Sequence, residues 1–357
     1  MRLDTDLVDI PRLRADLLAW YDAQGRELAW RVRPNPKGLR ADPYAVWLSE
    51  VMLQQTTVPH ATPYFRSFLA RWPTVQALAA APDAEVMAAW AGLGYYARAR
   101  NLLACARAVA TQHGGVFPDT EAALRVLPGL GAYTAAAVAS IAFDRPANVV
   151  DGNVERVVAR LFAVEAPLPD AKPELKALAA DLVTARRPGD WAQALMDLGA
   201  VICRPRQPLC ERCPVGAQCA ALATGAPQTY PRKRGKPQRP HRHGVAWLLT
   251  RGGKIALVQR PPKGLLGGML GLPTSDWRAA PFTDGEAQAL APVQADWRSA
   301  GEAQHGFTHF TLTLRLYRAE DPASGPVDEL VWTPLSGLSA LPSVFLKAAR
   351  IGFSTLV

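Results

Sequence analysis

The sequence predicts a multidomain fold, with an all-α region over residues 1–223, a linker over 224–243 and an α+β region over 244–357. Three observations predict it. Apolar residues recur at helical spacing through the first region, with Pro and Gly marking the breaks. The stretch PRKRGKPQRPHRH then holds six Lys or Arg, three Pro and no acid, the composition of an extended spacer. Beyond it the period falls to two, as expected of strands. At 357 residues the chain is long enough for each region to bury its own core.

Residues 11–22 place Leu13, Leu17, Trp20 and Tyr21 on one helical face, a core pattern. A loop rich in Pro, Arg and Gly follows. From Pro43 the spacing turns helical and aligns Trp47, Glu50, Val51 and Gln54, which sets a carboxylate on a largely apolar face. By spacing alone, Glu50 also reads as an ordinary solvated Glu. Residues 59–126 continue as short helices broken at Pro73, Pro82 and Pro118. Within them GLGYYARARNL, Gly92 to Leu102, mixes aromatic and basic residues in the manner of a surface that meets stacked bases and phosphates. Its plain alternative is a helix start with core tyrosines.

The densest stretch runs from Leu127 to Asn153, LPGLGAYTAAAVASIAFDRPANVVDGN. Pro128, Gly129 and Gly131 predict a tight turn at the mouth of a helix, with both glycines free to take positive φ and to admit another backbone. The amides at the helix start are then open to an anion such as phosphate. An Ala-rich helix over Thr134 to Phe143 stops at Asp144-Arg145-Pro146, and a short apolar run leads to Asp151-Gly152-Asn153. There a new helix begins, with Val154, Val157, Val158 and Leu161 on one face and Asp151 at its N-terminus, a common place for Asp.

Cys203, Cys210, Cys213 and Cys219 stand at C-x6-C-x2-C-x5-C, too crowded for a secreted disulfide framework. Four thiolates could bind zinc, although structural zinc usually uses two short Cys pairs. Cys105 reads as a core thiol. In the last region Val245 to Thr250, Lys254 to Gln259 and residues 310–316 read as strands, and Val344 to Ile351 as a helix. The balance of 40 basic to 31 acidic residues, a net +9, favours a polyanionic partner. Without a long apolar run or a basic and greasy start, the expected location is the cytoplasm.

LPGxG, a helix and then VVDGN together resemble the helix-hairpin-helix and Gly/Pro-Asp motif of the endonuclease III superfamily of DNA glycosylases. WLSEVMLQQT resembles the catalytic segment of that superfamily's MutY branch, the cysteine spacing is similar to its 4Fe-4S pattern, and KIALVQRPPKGLLGGMLGLP resembles its Nudix-like C-terminal domain. The resemblance covers nearly the whole chain. It implies a helical glycosylase core with an iron-sulfur loop and a Nudix-like domain, acting as a monomer on double-stranded DNA in which adenine faces 8-oxoguanine or guanine. A hydrolytic Nudix domain needs a Glu-rich helix, whereas residues 264–280 hold one acid, Asp276.

The resemblance also implies roles. Glu50 would protonate the adenine ring, Asp151 would stabilise the sugar oxocarbenium ion, and Tyr133 and Asn153 would position them. Gly129 and Gly131 would grip a phosphate, Gln55 and Tyr95 would insert near the damaged pair, and Gln193 would bond the adenine edge. Trp30 and Arg31 would line the pocket or contact DNA. Phe307, Thr308 and His309 would read 8-oxoguanine, Thr308 replacing the family's Ser, and Cys203, Cys210, Cys213 and Cys219 would hold the 4Fe-4S cluster. The rival reading, an endonuclease III-like lyase for oxidised pyrimidines, needs a Lys where this chain has Tyr133. Retention of both Glu50 and Asp151 argues against a non-catalytic mismatch-binding protein.

Overall fold

The computed structural model describes residues 8–33, 40–235, 239–261, 265–307, 309–321 and 330–354. It divides into two compact units, Met1–Gly235 and Lys236–Val357. In the first unit the helices are α1 (Ile10–Gln24), α2 (Pro43–Leu53), α3 (Val58–Arg71), α4 (Val75–Ala80), α5 (Asp83–Ala89), α6 (Ala97–Gln112), α7 (Glu121–Leu124), α8 (Ala132–Phe143), α9 (Gly152–Leu161), α10 (Lys172–Asp181), α11 (Pro188–Asp197) and α12 (Ala220–Ala223). Among the described residues, no helix is long and apolar enough to cross a membrane.

These helices enclose two apolar cores. One gathers Trp47, Phe65, Phe68 and Trp90 with Leu102, Cys105 and Val138. The other joins α1 to α9, α10 and α11 through Leu13, Leu17, Tyr21, Val158, Leu175 and Trp191. Ala-rich α8 touches both through Ile141 and packs against α2 and α11. Its small side chains permit that approach, and Gly189 shows how tight it is. A Cβ there would stand 2.5 Å from the Ser140 carbonyl oxygen. α2 differs from a helix with one apolar face. Being central, it buries Tyr44 and every residue from Val46 to Met52.

The second unit contains β1 (His241–Arg251), β2 (Lys254–Gln259), β3 (Leu270–Gly271), β4 (Arg298–Gly306), β5 (Thr311–Glu320) and β6 (Leu330–Pro334), with α13 (Asp284–Ala289) and α14 (Ser343–Ser354). The sheet order is β3-β2-β1-β5-β4, with β6 also paired to β2. β1 and β5 run parallel, His241 facing Thr311 and Thr250 facing Glu320. One face buries Leu248, Ile255, Leu312, Leu314 and Leu316 against Phe345 and Ala348 of α14. The stretch read as a spacer is structured at its described ends. Tyr230 is buried, Leu168 bridges to Lys233, and β1 starts at His241 because its alternate residues pair with β5.

Candidate active site

The site forms where α2, α8 and α9 meet. Glu50 lies in mid-α2, 7% exposed, so ionising it means placing charge in an apolar core. Burial pushes its pKa from 4.5 up to about 7. The Tyr133 hydroxyl, at the start of α8, pulls it down, while the negative charge of Asp151 adds to the rise and Arg31 opposes it. Tyr133 itself is held well above the ordinary phenol range by burial and then by Glu50 and Asp151, and its hydroxyl donates to Met196 Sδ at 3.6 Å.

Asp151 caps α9. Its carboxylate accepts from the backbone amides of Asn153 at 2.9 Å and Val154 at 2.7 Å and from Asn153 Nδ2 at 2.9 Å. The N-terminus of a helix favours negative charge there. Asn153 is fixed in turn, since its Oδ1 accepts from Arg156 Nη2 at 2.8 Å. Gly199 supplies the room, because a Cβ there would meet Asn153 Cβ at 2.6 Å.

The glycine turn does half of what its sequence predicts. Gly129 adopts φ +75° and lies so near Asn101 that a Cβ would stand 2.7 Å from Asn101 Cβ. Gly131 has φ −76° and meets nothing within 4 Å, so the expected positive φ and close approach are absent at this position. It is the N-cap of α8, extended and exposed, and no side chain caps that helix. Orphan amides at the helix start therefore face outward, an arrangement suited to an anion.

Trp30 packs edge-on against Phe65, with ring centroids 5.3 Å apart. Arg31 is buried in an ion pair with Asp197, Nη1 to Oδ2 at 2.6 Å and Nη2 to Oδ1 at 3.1 Å, and Asp197 also takes the Arg26 side chain at 2.7 Å. Gln193 is buried in α11, and its amide nitrogen donates to its own helix at the Gly189 carbonyl, 3.2 Å away. Gln55 and Tyr95 are exposed at loop tips, both with positive φ, +56° and +50°.

The four cysteines are half-buried in the loop that follows α11, and the charges of the other three all bear on Cys213. Among the described residues, no three Cys, His or acidic side chains converge on one point as a single metal ion requires. Two arginines of α9 serve this loop. Arg156 Nε donates to the Cys203 carbonyl at 2.7 Å, and the fully buried Arg160 donates through Nη1 to Cys203 Sγ at 3.2 Å and to the Arg204 carbonyl at 2.8 Å. Sequence reasoning passed over both. Their signal was two arginines at i, i+4 in the helix that carries Val154, Val157, Val158 and Leu161, a spacing that puts both on one side.

In the second unit Phe307 does not project freely. Its ring stacks on Trp277 with centroids 5.6 Å apart and leans on Phe310 at 4.8 Å, while its amide donates to the Phe310 carbonyl at 2.9 Å and closes a tight turn. His309 is exposed at that turn. Thr308 lies outside the described residues.

Comparisons with known proteins identify the family to which both units belong. The family described as HhH-GPD superfamily base excision DNA repair protein matches residues 48–183, and the NUDIX domain family matches 244–348. The human protein named adenine DNA glycosylase is 38% identical over 370 residues, covering 87% of this chain and 67% of its own length. A namesake from Mycolicibacterium smegmatis is 42% identical over 212 residues, covering 59% of this chain and 70% of its own length. Among solved structures, a thermostable thymine-DNA glycosylase superposes with a TM-score of 0.53 at 29% identity, covering 60% of this chain and 97% of that one. A helical HhH-GPD core followed by a Nudix-like domain, shared with relatives over most of both lengths, makes this chain a member of the adenine DNA glycosylase family.

Proposed function

We propose that the chain removes adenine mispaired with 8-oxoguanine or guanine in duplex DNA, with Glu50 as the acid and Asp151 as the electrostatic partner of the sugar. The observation that carries this reading is a buried carboxyl titrating near neutrality, beside a second carboxylate held by three N–H donors. Adenine is out of reach inside a duplex and must be extruded into a pocket. Once there, Glu50 in its acid form delivers a proton to the imidazole ring, so the leaving purine departs neutral. Asp151 stabilises the positive charge that develops on the sugar, and Glu50, now ionised, accepts a proton from the incoming water. Tyr133 and Asn153 hold the two carboxylates in register. Tyr133 offers no amine for a Schiff base, so the product is an abasic site without strand cleavage.

The uncapped start of α8, with Gly129 and Gly131 before it, suits a backbone phosphate. Gln55 and Tyr95 are exposed at the tips that would enter the stack, Trp30 and Gln193 shape the pocket, and Arg31 steadies its wall. The all-thiolate donor set of Cys203, Cys210, Cys213 and Cys219 fits a 4Fe-4S cluster. When bound, the cluster would fix the loop that Arg156 and Arg160 tie to α9.

Phe307, Thr308 and His309 would read the opposite base, with the stacked Phe307 ring as anchor and the exposed His309 as a contact. Excision from duplexes bearing adenine opposite 8-oxoguanine and opposite guanine tests both halves of the proposal. Alkali-labile product from both, with a preference for 8-oxoguanine that His309→Ala diminishes, is the expected result. No adenine release from either duplex would reject the proposed reaction, and an unchanged preference in the variant would reject the role of the turn.

A further inference from the structure

Arg98 stands in the first turn of α6, where a cation opposes the helix dipole. Its guanidinium serves other elements. Nη1 donates to the carbonyls of Val51 at 3.1 Å, Met52 at 3.2 Å and Gln54 at 2.5 Å, the C-terminal end of the helix that carries Glu50. Those carbonyls lack helical partners, and a cation at that end is favoured. Nη2 reaches the Leu93 and Gly94 carbonyls at 3.1 and 3.3 Å. The rings of Trp90 and Tyr95 flank the group, 5.4 and 5.5 Å from their centroids.

One side chain thus binds two loops, and each loop ends in an exposed residue in a left-handed conformation. Gln55 has φ +56°, and Tyr95 has φ +50° with 63% of its surface exposed. For residues other than Gly such a conformation costs about 1 kcal/mol or more and persists only where the surroundings over-determine it. A planar fork of donors makes that possible, since it can satisfy several carbonyls at once. An ammonium at the same place serves one loop or the other.

We propose that Arg98 is a positioning residue that locks the Gln55 and Tyr95 tips into one rigid wedge at the end of the Glu50 helix. Parting the base stack then requires no rearrangement of either loop. This rests on the reading that both tips enter DNA.

The test compares single-turnover adenine excision by full-length wild type and Arg98→Lys on two duplexes carrying the same adenine-guanine mispair. One has paired flanks and the other has mismatched flanks that already loosen the stack. Loss of about one charge-assisted hydrogen bond's worth of wedge rigidity predicts roughly tenfold slower excision from the paired duplex. On the loosened duplex the rate should stay within about twofold. Equal losses on both, or none on either, would overturn the proposal. Tyr95→Ala separates the two readings. If it shows the flank dependence and Arg98→Lys does not, the wedge stands and the staple falls, whereas if neither shows it, contact of the tips with DNA is itself rejected. Should Arg98→Lys fail to fold, backbone order parameters of free wild type decide. Values near 0.85 at Gln55 and Tyr95 support a preformed wedge, and values below about 0.6 overturn it.

Discussion

Glu50 and Asp151 lie within each other's electrostatic reach, and the chain houses them differently. Glu50 sits in mid-helix, where the amides of α2 serve their own ladder and burial raises its pKa to about 7. Asp151 sits one step before a helix, where three N–H donors converge on its carboxylate. Position along a helix therefore sets the two surroundings apart, since mid-helix burial favours the acid form of Glu50 while the start of α9 supplies amide donors to Asp151. Under the proposed function, two residues of one chemical type would serve as proton donor and counter-charge, the pair that a reaction with an anionic leaving group and a cationic sugar requires.

Neutralising either partner breaks this contrast most severely. Glu50→Gln and Asp151→Asn each keep size and remove one function, so single-turnover adenine excision should fall at least ~100-fold in each while duplex binding persists. Near-normal excision by either variant would dismiss its assignment.

The same contrast predicts an opposite effect on stability. Folded Glu50 keeps its proton up to about pH 7, whereas in the unfolded chain it loses it near its ordinary 4.5. Its contribution to stability is thus full below 4.5 and is lost as pH rises to about 7, above which the native state holds a buried charge. Glu50→Gln should be more stable than wild type by about 3 kcal/mol at pH 8 and no more stable near pH 4. Urea unfolding at the two pH values measures this, and an equal difference at both would show that burial is not what shifts Glu50.

How much of this was legible depends on the range of the interaction. Glu50 showed itself as a carboxylate at helical spacing among Trp47 and Val51, and Asp151 as the residue between a turn and a helix, both local patterns. The strands at 245–250 and 254–259 and the helix near 344–351 were visible for the same reason. The pairing of Arg31 with Asp197 was not, because the partners lie 166 residues apart and neither has a local pattern to betray it. The parallel pairing of β1 with β5 was hidden likewise. Gly131 misled the reading because glycine tolerates positive φ without requiring it. Here its value lies in the open space that a missing side chain leaves at the start of α8.

A smaller change sharpens the comparison. Tyr133 holds the Glu50 pKa down, so Tyr133→Phe should move the midpoint of the pH-rate profile upward. A loss of about threefold to tenfold at pH 7.5 is expected from misplacing the acid, within the range of a single neutral hydrogen bond. A midpoint that stays in place would separate Tyr133 from the acid.

The central claim, that Glu50 acts as a buried acid, is tested most directly by the pH dependence of single-turnover adenine excision from pH 5 to 9 with enzyme in excess. The wild-type rate should be highest on the acid side and fall tenfold per unit above a midpoint near 7, and Glu50→Gln should show a low rate without that transition. A wild-type profile that is flat across this range, or the same midpoint surviving in Glu50→Gln, would contradict it.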